Sequence, residues 1–238
     1  MLIQRYDYKP ISRQTTEGKR HYCLPDGSKV PSVTTILEAT KSEESKRALF
    51  EWRKRTGEKK AQEITTEAAS RGTRMHTYLE NYVKSGQLKA PGSNPYAQQS
   101  HKMAEIVIAE GLAHVNEVWG MEVPLYCSGL YAGTSDCVGL WKSRPAIMDF
   151  KQTNKPKRRD WIEDYFLQIA AYALAHNEVH GTNIRKGVIL MCVKPEVDEN
   201  FNIVVPPGYQ EFVLEGAQFE LYRQLWWQRV EQYYLLNS

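Results

Sequence analysis

The sequence predicts an α/β fold, and three observations predict it. Two short apolar runs, residues 131–140 and 145–150, flank the polar, turn-prone Lys142-Ser143-Arg144 and read as a hairpin. From residue 161 to 176 the apolar spacing changes to three and four (Trp161, Tyr165, Ile169, Tyr172), as on an amphipathic helix. Further helical patterns precede and follow this pair, so helices lie before, between and after the strands.

The remaining elements follow in order. Up to residue 30, alternation at Tyr6, Tyr8 and His21-Tyr22-Cys23-Leu24 around the Pro25-Asp26-Gly27 turn predicts a small N-terminal hairpin. Pro31-Ser32-Val33 opens a helix through Leu37, with Ser32 or Thr34 as N-cap. A second helix covers 42–55 and ends at Gly57. A third covers 59–84, with Ala61, Ile64, Ala68, Gly72, Met75, Leu79 and Tyr82 as its apolar stripe. Residues 91–95 form a loop and 96–119 a fourth helix, which makes 31–119 a helical region. Strands follow at 121–127 and 187–194, then an acidic turn at 196–202 and a short strand at 203–205, giving a core over 120–205. The final helix, 216–236, is rich in large aromatics that suit core packing, with a base-stacking surface as the alternative.

At 238 residues and 42% hydrophobic content the chain is long enough for one well-cored domain, and no linker, repeat or low-complexity block divides 1–238. The net charge of +3 does not by itself point to nucleic acid, but its distribution does. Residues 41–60 carry eight basic and four acidic side chains, and 151–159 carry five basic (Lys151, Lys155, Lys157, Arg158, Arg159) and no acidic ones. Such strips suit a phosphate backbone, although a solvated charged face has the same composition. No apolar leader and no long apolar run occur, so a cytoplasmic protein without membrane spans is expected. Cys23, Cys127, Cys137 and Cys192 are scattered, which argues against zinc and for reduced, buried thiols.

The chemistry concentrates in forty residues. Asp136 ends Gly133-Thr134-Ser135-Asp136, and Asp149-Phe150-Lys151 follows thirteen residues later. Alternation along a strand points Asp149 and Lys151 one way and Phe150 into the core. Asp149 sits between Met148 and Phe150, where an unpartnered carboxylate costs several kcal/mol, so it requires a cation. Carboxylate oxygens suit a hard divalent cation, and a Lys beside it can activate water and neutralise phosphate charge. Gln168 and Tyr172 stand one turn apart on the next helix. Glu122 is a further acidic candidate, while Glu80 reads as a solvent residue or one behind the ligands.

Asp136, Asp149-Phe150-Lys151 and Gln168-x-x-x-Tyr172 together resemble the PD-(D/E)XK nuclease superfamily, in particular its RecB-like branch. Arg71-Gly72-Thr73-Arg74-Met75-His76 resembles the Gly-x-x-x-His helix of that branch, and Pro31-Ser32-Val33-Thr34-Thr35-Ile36-Leu37 resembles the opening of the mitochondrial single-strand DNA exonucleases and their phage relatives. The resemblance spans about 31–190. It implies a restriction-endonuclease-like core, a central mixed sheet flanked by helices, with a helical N-terminal elaboration. It implies Mg²⁺ or Mn²⁺ held by His76, Asp136, Asp149 and the Phe150 backbone carbonyl, and catalytic roles for Asp136, Asp149, Lys151, Gln168 and Tyr172. Substrate contacts are expected from Ser32, Thr34 and Thr35, a hydroxyl-bearing helix start suited to anions, and from Lys155, Lys157, Arg158 and Arg159. Some branch members hold an iron–sulfur cluster on one upstream Cys and three near the C-terminus; no Cys follows Cys192, so no cluster is expected. The expected activity is metal-dependent hydrolysis of single-stranded DNA from its ends, with a two-metal type of water attack, by a monomer acting in the host cytoplasm if of phage origin. A structure-selective endonuclease with the same site and an inactive DNA-binding module are the alternatives.

Overall fold

The computed structural model describes residues 2–16 and 18–237. β1 (Ser12–Thr16), β2 (Lys19–Cys23) and β3 (Lys29–Pro31) form a small antiparallel sheet. Three helices follow: α1 (Val33–Ala39), α2 (Glu43–Thr56) and α3 (Glu58–Ser85). Ser32 and Ser42 cap the first two through their hydroxyls, and Gly86, in the left-handed region at φ +73°, ends the third. α4 (Pro95–Ile106) starts on the Asn94 cap with proline in its first turn, then loosens into a π-turn and a 3₁₀-turn ending at His114.

The main sheet contains β4 (Val115–Cys127), β5 (Tyr131–Trp141), β6 (Arg144–Thr153), β7 (Lys186–Val193) and β10 (Gly208–Glu215), in the order β10-β7-β6-β5-β4. α5 (Glu163–His180) carries the chain from β6 to β7, which pair in parallel; the other neighbours are antiparallel. β8 (Glu196–Val197) and β9 (Ile203–Val205) make a small hairpin, and α6 (Gly216–Leu236) closes the chain. The expected α/β architecture with a central mixed sheet between helices therefore holds, in a form consistent with a restriction-endonuclease-like core. Two apolar layers cover its faces. Val33, Ile36, Ile147, Phe166, Ile169 and Trp226 pack with α1, α5 and α6 on one side; Met75, Leu79, Met103, Met148, Phe150 and Leu190 pack with α3 and α4 on the other. No helix among the described residues is long and apolar enough to cross a membrane.

Two boundaries differ from expectation. The fourth helix ends at Ile106, not 119, and β4 begins at Val115, not 121, so the helical region stops short of 119. The apolar run from Val107 to Leu112 sustains a helical rhythm that the π-turn breaks, and 115–119 then pairs with the far end of β5. The core also continues past 205: β10 pairs with all of β7. The N-terminal hairpin gains a third strand, and the acidic turn at 196–202 includes the short β8.

Candidate active site

β5 and β6 part company. Their ladder runs from Trp141↔Arg144 to Cys137↔Met148 and stops there, while β5 stays paired with β4 and β6 with β7. The next residue on β5 is Asp136, whose Oδ2 accepts the Phe150 N–H at 2.8 Å, replacing the strand partner that β6 has lost. The site lies in this fork.

Asp149 is only 1% exposed, on the α5 face of β6. Lys151 Nζ forms an ion pair with its Oδ2 at 2.5 Å, and neither carboxylate oxygen has a hydrogen bond of ordinary geometry. Burial pushes the Asp149 carboxyl up to about 6; Lys151 opposes that shift and the Asp136 charge reinforces it. Burial alone would lower the Lys151 ammonium, but Asp149 and Asp136 outweigh it and hold the group above the usual lysine range. The same ammonium sits 5.0 Å from the Tyr165 ring centre.

His76 reaches the fork from α3. Its Nε2 is 2.9 Å from the Phe150 carbonyl oxygen and its Nδ1 is 3.8 Å from Asp136 Oδ1. Glu122 lies across β4 from Asp136, between the pairs Met121↔Cys137 and Val123↔Ser135. Its φ of +50° is rare for a residue with a Cβ, and such strain concentrates at functional positions. His76, Glu122 and Asp136 each offer a ligand atom, all within 4.8 Å of one another. Glu122 is exposed as a residue, yet partial burial of its carboxyl raises its pKa, with His76 opposing and Glu80 and Asp149 adding to the rise.

This donor set fits a divalent cation. Carboxylates, a backbone carbonyl and one imidazole converge, and the buried Asp149 oxygens lack hydrogen bonds. His76 Nε2 donates to the Phe150 carbonyl at 2.9 Å, which leaves its Nδ1 facing Asp136.

Comparisons with known proteins point to a nuclease family. The chain is 31% identical over 180 residues to the Xenopus tropicalis protein named mitochondrial genome maintenance exonuclease 1, covering 69% of this chain and 49% of the relative. The mouse protein of that name is 26% identical over 205 residues (78% and 58% covered), and the human one 25% over 215 (86% and 58%). The chain thus spans about half the length of the curated relatives it matches. These distant homologues relate it to a nuclease family and support a nuclease function. No protein-family model matches the chain. A solved structure 13% identical to it, covering 68% of this chain and 71% of its own, reaches a TM-score of 0.30, too low to carry an argument. The relatives are named for mitochondria, which gives the cytoplasmic expectation no support.

The other expected site residues divide. On α5, Gln168 Nε2 donates to the Tyr172 hydroxyl at 3.1 Å. Tyr172 is buried against Gly133: a Cβ there would stand 2.7 Å from Tyr172 Cε1. The Gly133 of the β5 motif is therefore required by the Tyr172 of the α5 motif. The hydroxyls of 32–35 are committed to structure. Ser32 is buried, accepts the Thr35 N–H at 3.0 Å, and lies 2.9 Å from Thr34 Oγ1 and 2.8 Å from Thr35 Oγ1; Thr35 Oγ1 also donates to the Arg20 carbonyl at 2.9 Å. Only Thr34 of the three is exposed. In the basic strip, Arg158 pairs with Asp160 at 3.0 Å, and Arg159 donates to Gln218 at 2.6 Å while its guanidinium lies 4.4 Å from the Phe166 ring centre. Lys155 and Lys157 pair with no carboxylate among the described residues. Sequence reasoning gave Tyr165 no place beside Lys151; its position three residues before Gln168, on the same helical face, is the signal that places it there.

Proposed function

We propose that the chain is a metal-dependent deoxyribonuclease of the PD-(D/E)XK, RecB-like type that degrades single-stranded DNA from its ends. The observation that carries this reading is the buried, hydrogen-bond-starved Asp149 beside Lys151, in a fork that also gathers Asp136, His76 and the Phe150 carbonyl. His76, Asp136, Asp149 and the Phe150 carbonyl, with Glu122 added, are the groups that would hold Mg²⁺ or Mn²⁺. When bound, the ion supplies Lewis-acid polarisation of the phosphoryl oxygens and acidifies water. Lys151, kept charged by its two carboxylate neighbours, orients the attacking water and offsets the charge that builds on the phosphate. Tyr172 and Gln168 wall the site on the α5 side, and Tyr165 flanks Lys151.

Two features favour a single strand. α2 has no buried residue, and Leu49 and Phe50 face solvent at 39% and 63% exposure amid the basic side chains of 41–60. A helix of this kind suits a backbone-tracking, base-contacting passage. Lys155 and Lys157 continue the positive surface beyond Lys151. End-labelled linear single strands should shorten from one end in the presence of Mg²⁺ or Mn²⁺, whereas circular single strands should persist. Equal cleavage of circular and linear strands would replace this reading with an endonuclease that uses the same site.

A further inference from the structure

Beside the fork, α3 and β6 are joined by a second contact that the chemistry above does not use. Arg71 is fully buried, an unusual place for a guanidinium. Its Nε donates to Gln152 Oε1 at 2.9 Å, its Nη2 to Asn154 Oδ1, and its Nη1 to the half-buried Glu67 one turn back on α3. Gln152 returns a bond across the same gap, from its Nε2 to the Ala68 carbonyl at 2.9 Å. Gln152 and Asn154 stand one and three residues after Lys151, so this network fastens the end of β6 that carries the Asp-x-Lys pair to the helix that carries His76.

The geometry matters because His76 itself meets β6 only around Phe150 among the described residues, edge-on to its ring at 5.9 Å and at its carbonyl, and that carbonyl belongs to the same donor set. Without Arg71, α3 would be held to β6 beside the site by the Gln152–Ala68 bond, by the apolar layer that Met75 and Leu79 share with Met148 and Phe150, and by the His76–Phe150 pair, part of which the ion itself must share. A second, independent fixing point sets the His76–Phe150 separation before any ion arrives. A lysine would keep the charge but lose the planar fork that reaches Gln152 and Asn154 together. We propose that Arg71 is a positioning residue: with Gln152 it locks α3 to β6 and thereby sets the affinity of the His76–Asp136–Phe150 site for its divalent cation. This rests on the metal-dependent reading proposed above.

The test is calorimetric titration of Mn²⁺ into the metal-free full chain without DNA, with circular dichroism to establish folding. The proteins are wild type, Arg71→Lys, Gln152→Met, His76→Ala and the double variant Arg71→Lys/His76→Ala. Supports behind metal ligands typically change affinity by about 10- to 100-fold, so Arg71→Lys and Gln152→Met should each weaken Mn²⁺ binding within that range. The double variant should bind no more weakly than His76→Ala alone, because the lock acts through His76. Gln152→Met keeps the packing volume and carries the test if Arg71→Lys fails to fold. Wild-type affinity in a folded Gln152→Met or Arg71→Lys protein, or losses that multiply in the double variant, would overturn the proposal while leaving the metal reading in place. A silent wild-type titration would overturn the metal reading, and the lock with it.

Discussion

Gly133→Ala tests how closely the fork is packed. The added Cβ would lie 2.7 Å from Tyr172 Cε1, closer than real Cβ atoms come, and a tight 3.0 Å from its hydroxyl. β5 is paired to β4 at this point (Leu125↔Gly133) and Tyr172 is buried at 3% exposure, so the ring has to shift. Overpacking of this kind costs about 1–3 kcal/mol. In a domain of this size each kcal/mol moves the melting temperature by about 2–4 °C, which predicts a loss of roughly 2–12 °C. The displaced ring also releases Gln168, which now donates to its hydroxyl, so the wall beside Asp149 and Lys151 is disturbed and nuclease activity should fall with stability. The assay is thermal melting of four proteins: wild type, Gly133→Ala, Tyr172→Ala and the double variant. If the clash is with Tyr172, the Gly133→Ala penalty should nearly vanish in the Tyr172→Ala background, where the ring is gone. An equal penalty in both backgrounds would refute the reasoning and place the cost of Gly133→Ala in the strand backbone.

Three further outcomes are expected. Alanine at Asp136, Asp149 or Lys151 should each nearly abolish nuclease turnover, and pairs should lose little more than singles; substantial cleavage by a folded Lys151→Ala protein would remove Lys151 from the site. Because His76 offers an imidazole, which suits Mn²⁺ better than Mg²⁺, Mn²⁺ should support cleavage at least as well as Mg²⁺; a strict Mg²⁺ requirement would place His76 outside the ligand set. His176 is buried, with Tyr8 at its Nε2 (3.0 Å) and Thr182 at its Nδ1 (2.8 Å), and burial, aided by His180, lowers its pKa to about 4. The unfolded chain therefore binds a proton that the folded one refuses between pH 6.5 and 4. Stability should fall by about 3 kcal/mol as pH drops through that window, with no contribution from this group above 6.5; urea melts of His176→Gln should show a visibly flatter acid limb.

The parts of the site that the sequence made legible are those set by local rules. Period-two alternation alone placed Asp149 and Lys151 on one face and Phe150 in the core, where it is 1% exposed, and helical spacing put Gln168 against Tyr172. The parts that were not legible depend on where the chain stops obeying such rules. Nothing in the residues 136–149 announces that β5 and β6 cease pairing at Cys137, although that break creates the fork. Glu122 is an acidic candidate already in the sequence, but the positive φ it takes within its strand is one its residue type disfavours. Ser32 and Thr35 have the chemistry of an anion site but spend their hydroxyls on the cap and on Arg20, a tertiary demand invisible in Pro31-Ser32-Val33-Thr34-Thr35. β10 escaped notice because its residues are almost all half-buried, so its apolar alternation is diluted by Gln210 and Glu211.

The early end of the β5–β6 ladder also divides the sheet mechanically. One leaf, β4–β5, carries Glu122 and Asp136; the other, β6–β7–β10, carries Asp149, Phe150 and Lys151. Past Cys137, among the described residues, a hydrogen bond from the Phe150 N–H to Asp136, a side chain that is also a ligand candidate, joins the leaves. The separation of the two aspartates is therefore set by that bond and by α5, which packs across both leaves, and not by a continuous ladder.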